Sequence, residues 1–174
     1  MTEHPGLVAV CVVGNSDAGK TTLVEHLVPE LAEYGPVGTI KSIHHDIDVD
    51  TPGTDTDRHR QAGATSVIGI TPGTTFEVTP GGKRNPGTEP DQESPYTPGW
   101  LFELPTLEGR ALENAIARYH RRGYRFVLIE GYRDAPLPTI RVGDDDRPVG
   151  GRVIGTDEDT LETLVETIRT LEPI

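Results

Sequence analysis

The chain has 174 residues and a mass of 18.9 kDa, with 34% hydrophobic and 5% aromatic side chains, which suits one domain with a lean core. Its 28 Asp and Glu outnumber 16 Lys and Arg, a formal net charge of −12, so binding a nucleic-acid backbone through a general basic surface is disfavoured. The longest apolar run, Leu7 to Val13, is far shorter than the roughly 20 residues a bilayer-spanning helix needs, and the first residues lack the basic start and apolar stretch of a secretory signal. The expectation is a cytoplasmic protein without a membrane segment. Its one cysteine, Cys11, reads as a small buried side chain.

Leu7-Val-Ala-Val-Cys-Val-Val13 is short, continuous and β-branched, the pattern of a strand buried on both faces. Residues 20 to about 33 read as a helix, with Leu23, Leu27 and Leu31 every four residues and Glu25, Glu30 and Glu33 facing solvent. Val37 to Ile43 reads as a second strand, Asp55 to Ala62 as a short helix and Thr65 to Thr71 as a third strand. This β-α-β-α-β order predicts a parallel sheet with right-handed crossovers. From Pro72 to Pro105 the chain holds seven prolines and five glycines, so a short strand at Thr74 to Thr79 and a Pro/Gly-rich excursion at about 80–99 are expected. Helical spacing resumes from Leu107 to Tyr119, and Phe126-Val-Leu-Ile129 is a buried strand ending at Glu130. Pro138 to Val142 and Arg152 to Gly155 read as edge strands, and a last helix starts near Asp157. The fold class is α/β: a doubly wound, mostly parallel sheet with helices on both faces, one nucleotide-binding domain over residues 1–174.

The strongest chemical signal is Gly14-Asn15-Ser16-Asp17-Ala18-Gly19-Lys20-Thr21, which matches G-x-x-x-x-G-K-[ST] at every defined position. Its context, a buried strand before and an amphipathic helix after, is the one this P-loop requires. The glycines let backbone N–H groups converge on phosphate oxygens, Lys20 reaches the β- and γ-phosphates, and the Thr21 hydroxyl serves Mg²⁺. Glu130, directly after an apolar strand, is the carboxylate placed to hold Mg²⁺ or its water. Lys20 and Glu130 are thus the candidate catalytic residues, and Thr21 and Glu130 the candidate metal ligands. The segment from Lys41 to Arg60, which includes His44, His45, Asp46, Asp48 and Asp50, leaves the second strand at the same sheet edge and faces the γ-phosphate or a second substrate. No N-K-x-D segment is present, so these residues leave the nucleotide base open.

Three segments together resemble one family, the molybdopterin-guanine dinucleotide biosynthesis adapter proteins, MobB. They are Gly14 to Thr22; Gly38-Thr-Ile-Lys-Ser-Ile-His-His-Asp-Ile-Asp-Val-Asp-Thr-Pro-Gly53 with Arg58 and Ala62-Gly-Ala64; and Ile129-Glu-Gly-Tyr-Arg-Asp-Ala-Pro-Leu-Pro138. The resemblance implies a GTP-binding accessory protein with weak Mg²⁺-dependent GTPase activity. It also implies a homodimer that works beside the guanylyltransferase attaching GMP to molybdopterin, with molybdopterin itself as a candidate ligand. Carried over by position, Gly14, Gly19, Lys20, Thr21 and Thr22 hold phosphate and metal, and His45, Asp46 and Asp50 fall in the family's characteristic loop. Two positions depart from the family pattern: Ser42 stands where a histidine is usual, and Thr54 where a lysine is usual. Two competing readings are a small-molecule kinase, whose acceptor the 44–60 loop would hold, and a metal-delivery GTPase using His44 and His45.

Only Lys20, Lys41 and Lys83 are lysines among the 16 basic residues, and this scarcity with an acid excess is what a surface adapted to a high-salt cytoplasm shows. Like-charge repulsion then opposes compactness, and salt relieves it: the screening length falls from about 8 Å at 0.15 M to about 3 Å at 1 M. The melting temperature is expected to rise steeply across that range of KCl. A curve that is flat or falls up to about 2 M would contradict the halophilic reading.

Overall fold

The computed structural model describes residues 6–86 and 106–174. The predicted excursion therefore lies, from residue 87 onward, outside the described residues. β1 (Val8–Gly14) is buried along all its length except Gly14, as its continuous β-branched run requires. It leads into α1 (Lys20–Ala32) and β2 (Val37–Lys41). α2 (Asp55–Gln61) follows, then the short strands β3 (Val67–Ile70) and β4 (Thr75–Val78). α3 (Leu107–Arg121), β5 (Phe126–Glu130), β6 (Thr139–Val142), β7 (Val153–Thr156) and α4 (Leu161–Arg169) complete the order.

Five strands form one sheet in the order β2-β5-β1-β6-β7, and every adjacent pair is parallel. Helices cover both faces. On one, Leu112 and Ile116 of α3 pack on Ala9, Cys11, Val13, Val127 and Ile129; on the other, Leu27 and Leu31 of α1 and Leu164 and Ile168 of α4 pack on Val8, Val10, Phe126, Leu128 and Ile140. Successive residues of β1 thus feed opposite layers. Losing a methylene-rich side chain such as Leu27 or Ile116 from either layer costs about 2–5 kcal/mol. Burial pushes the Cys11 thiol up to about 12, so it acts as an apolar filler.

Three expectations need correction. The third strand does not join the parallel sheet: β3 pairs antiparallel with β4 as a separate two-stranded unit. Its four residues alternate buried and exposed, with Ile68 and Ile70 outward, which is a one-sided strand and not a doubly buried one. β6 is no edge strand but lies between β1 and β7, with Thr139, Ile140 and Val142 buried. α4 begins four residues later than expected. Asp159 accepts from the Thr156 backbone N–H in a turn, and Thr160 is the cap, accepting from the Thr163 N–H. Among the described residues no helix is long and apolar enough to cross a membrane.

The parallel arrangement brings the carboxyl ends of β1, β2 and β5 to one edge. In the registers, Lys41 pairs with Glu130 across β2 and β5, and Val12 pairs with Glu130 across β1 and β5. Open parallel sheets bind ligands at this edge, where the strand order reverses.

Candidate functional site

The loop from Gly14 to Gly19 leaves β1 and enters α1. Asp17 (φ 60°) and Gly19 (φ 96°) are left-handed, which curls the backbone inward. Gly14 admits no side chain, because a Cβ there would run into the Val142 carbonyl oxygen of β6. α1 starts at Gly19 with no side-chain cap and no acid in its first turn, whereas Thr54, Thr106 and Thr160 cap the other helices. Its first N–H groups therefore keep their capacity for an anion, with the positive end of the helix dipole behind them. Lys20 folds back over the loop, its Nζ donating to the carbonyls of Gly14 (3.1 Å) and Asn15 (2.5 Å).

Thr21, in the first turn of α1, donates its hydroxyl to Glu130, with both carboxylate oxygens at 3.0 Å. Lys41 completes the group, its Nζ donating to Glu130 Oε1 at 2.8 Å and to Thr21 Oγ1 at 3.3 Å. The Glu130 side chain is only 13% exposed, so its charge is matched by an ammonium that the β2–β5 register delivers. A hydroxyl and a carboxylate within 3.0 Å are hard oxygen donors of the kind Mg²⁺ takes, and the lysine cation beside them marks where positive charge is wanted.

These groups open into a cleft of about 930 Å³. Gly14, Ser16, Asp17, Gly19, Lys20, Thr21 and Thr22 line it together with Lys41 to His45, Glu108, Glu130 and Tyr132. There, Glu108 accepts from Lys83 Nζ (2.6 Å) and from Ser42 Oγ (3.1 Å), and these bonds hold its carboxyl below the usual range. The Lys83 ammonium also lies 5.7 Å from the centre of the Tyr132 ring. Tyr132 takes a left-handed backbone (φ 53°), and burial, then the charge of Glu108, raises its phenol. At the rim, Arg147 reaches from the turn after β6 to Asn15 Oδ1 (2.9 Å).

Of the residues singled out in the sequence, the phosphate loop, Thr21, His45 and Glu130 converge on this cleft. Asn15 joins it through Arg147, and Ala18 faces Gly143 at the end of β6. Asp46 and Asp50 do not line it. Asp46 pairs with Arg84 at 3.0 Å in solvent, and Asp50 Oδ1 accepts from the Thr51 N–H and the Thr54 hydroxyl, shaping the entry to α2. The 44–50 segment is exposed or half-exposed coil, so the alternation of Asp46, Asp48 and Asp50 with Ile47 and Val49 marks no strand. Among the described residues no three His, Cys, Asp or Glu side chains sit together as a metal site. Sequence reasoning placed Lys41 at the head of the candidate segment without giving it a role, and missed Asp145 and Arg147. For Lys41 a signal existed, since it is one of three lysines and ends a strand; Asp145 and Arg147 sit in an acidic run that reads as surface.

Residues 9–86 match the family model of MobB, described as "Molybdopterin guanine dinucleotide synthesis protein B". Over that stretch the chain is similar to the MobB domain. The domain spans the phosphate loop, Lys41 and the 44–50 segment; Glu130, Asp145 and Arg147 lie beyond it. A molybdopterin-guanine dinucleotide biosynthesis adapter protein of Haemophilus influenzae is 30% identical over 130 residues, 74% of this chain and 59% of that relative. A protein of the same description from Escherichia coli is 50% identical over 54 residues, 30% of this chain and 31% of its own length. The match thus spans less than two thirds of the first curated relative and under a third of the second. Two solved MobB structures share the fold along nearly their whole length. That from Bacillus subtilis has a TM-score of 0.60 at 20% identity, covering 92% of this chain and 97% of its own. A Bacillus stearothermophilus homologue has a TM-score of 0.55 at 20% identity, covering 94% and 99%. These structures therefore share the α/β fold of this chain.

The rim is held by Asp145, whose side chain is 1% exposed. Hydrogen bonds from Arg147 and Arg133 hold its carboxyl well below the usual range. A depressed folded value contributes stability that is present above about pH 4 and lost as pH falls through it. Asp145→Asn is expected to melt below the wild type at neutral pH, with the gap closing below about pH 4. Thermal melts from about pH 7 to about pH 2.5 check this, and a gap constant with pH contradicts it.

Proposed function

We propose that the protein is a GTP-binding adapter in molybdopterin-guanine dinucleotide biosynthesis. It binds GTP with Mg²⁺, hydrolyses it weakly, and works as a homodimer beside the guanylyltransferase that attaches GMP to molybdopterin. The pairing of Thr21 with Glu130 carries this reading, because it unites the hydroxyl of the phosphate loop with the carboxylate of a neighbouring strand. The match to the MobB domain and the biosynthetic role named for its relatives support the pathway over the kinase and metal-delivery readings.

The backbone N–H groups of residues 14–19 and the uncapped start of α1 receive the phosphates. Lys20 exchanges the carbonyls of Gly14 and Asn15 for phosphate oxygens. Thr21 and Glu130 would hold Mg²⁺, which would supply charge neutralisation on the phosphoryl oxygens. Lys41, whose Nζ lies 2.8 Å from Glu130 Oε1, would then be free to turn its ammonium to the phosphate chain. Glu130 is engaged by Thr21 and Lys41, which argues against its acting as a general base. Slow turnover suits an adapter.

Calorimetric titration with GTP and Mg²⁺ tests the reading. Lys20→Ala is expected to abolish binding while the melting temperature holds, since the side chain sits at the loop surface. Glu130→Gln is expected to keep nucleotide affinity while losing most of its Mg²⁺ dependence and its hydrolysis. Wild-type affinity in the first variant, or wild-type metal dependence in the second, would overturn it.

A further inference from the structure

Arg147 is a residue at the cleft that the nucleotide reading leaves without a task. Its Nε donates to Asp145 Oδ1 at 2.9 Å and its Nη2 to Asp145 Oδ2 at 2.8 Å, a two-pronged fork that fixes the guanidinium plane. Nη2 also donates to Asn15 Oδ1, the side chain of the second residue of the phosphate loop. Both N–H bonds of Nη2 and that of Nε are thus used. Nη1 donates to no protein atom among the described residues, on a side chain that is 57% exposed and lines the cleft.

The support is stronger than a surface arginine needs. Asp145 is buried and also takes Arg133 Nη2, while Arg133 Nη1 and Arg141 Nη2 both donate to the Arg147 carbonyl, at 3.3 and 3.1 Å. Asp145 therefore faces two guanidinium groups, those of Arg133 and Arg147, while Arg141 supports the Arg147 backbone. Asp144 and Asp146 flank the turn, both exposed, and Asp146 faces Arg147 through space. None of the acids reaches Nη1. A rigidly held arginine with one free prong is built to meet planar oxygen acceptors such as a phosphate.

We infer that Arg147 is a phosphate-binding arginine, oriented by Asp145, that addresses the β- and γ-phosphates from the turn after β6, while Lys41 comes from the end of β2 across the sheet edge. This rests on the nucleotide reading of the cleft. The end of the phosphate chain is indicated by Asn15, which both cations share: Lys20 Nζ lies on its carbonyl and Arg147 Nη2 on its side chain. The P-loop lysine serves the β- and γ-phosphates, so its neighbour at Asn15 serves the same end.

The test is calorimetric titration of the wild type, Arg147→Ala and Arg147→Lys with the Mg²⁺ complexes of GTP and GDP, and with GMP measured by competition. In Arg147→Ala, affinity for GTP and GDP is expected to fall by about tenfold or more, the loss expected for a charge-assisted bond, while GMP changes less than about twofold. Arg147→Lys keeps the charge without the fork and is expected to fall between the two. GTP affinity within about twofold of wild type in Arg147→Ala would overturn the inference. So would equal losses on all three nucleotides, which would make Arg147 a prop of the loop. A wild-type protein that binds none of the three would instead remove the nucleotide reading itself, and this inference with it.

Discussion

The convergence of Thr21, Lys41 and Glu130 is the constraint on which the site depends. Three different elements supply these residues, and only one strand order lets them meet. β5 must lie between β1 and β2, with all three parallel, for Glu130 to stand beside Lys41 and within reach of the first turn of α1. A slip of one residue in the β2–β5 register would turn Lys41 to the other face and leave a mostly buried carboxylate without its cation. Removing one partner of such a pair costs several kcal/mol in a fully buried setting and less here, where Lys41 is half exposed. The apolar layers on each face of the sheet hold the register, so the packing of Leu27 or Ile116 bears on the geometry at Glu130.

The two sides of the cleft are built on different physical terms. Backbone groups dominate the phosphate loop, where left-handed Asp17 and Gly19 and the uncapped helix start present N–H dipoles without a permanent charge. Side-chain charge dominates the rest, through Lys41 on Glu130, Lys83 on Glu108 and Arg147 on Asp145. Each cation is anchored by a carboxylate, which limits the net field a chain of charge −12 must sustain while leaving cationic groups at the cleft. An anionic ligand would meet cations already at the cleft, with Lys20 and Lys41 changing partners to receive it.

The doubly wound sheet was legible because its strands are short β-branched runs and its helices repeat apolar residues at helical spacing, as at Leu23, Leu27 and Leu31. The phosphate loop and Glu130 were legible because a local motif and a strand end define them. β3 misled because the β-α-β-α-β order suggests one more parallel strand, and only its pairing with β4 shows a separate antiparallel unit with Ile68 and Ile70 outward. Asp46 and Asp50 misled because density of polar groups says nothing about direction; one pairs with Arg84 in solvent and the other shapes the start of α2. Asp145 and Arg147 could not be read at all. Their significance arises from the turn after β6 folding back to Asn15, a contact between residues 132 positions apart.

The most direct test of this account is a crystal structure with Mg²⁺ and a non-hydrolysable GTP analogue. The account predicts the metal between Thr21 and Glu130, with the Lys41 ammonium displaced from the carboxylate toward the phosphate chain. A nucleotide bound with Lys41 still bridging Thr21 and Glu130, and no metal on either, would contradict it.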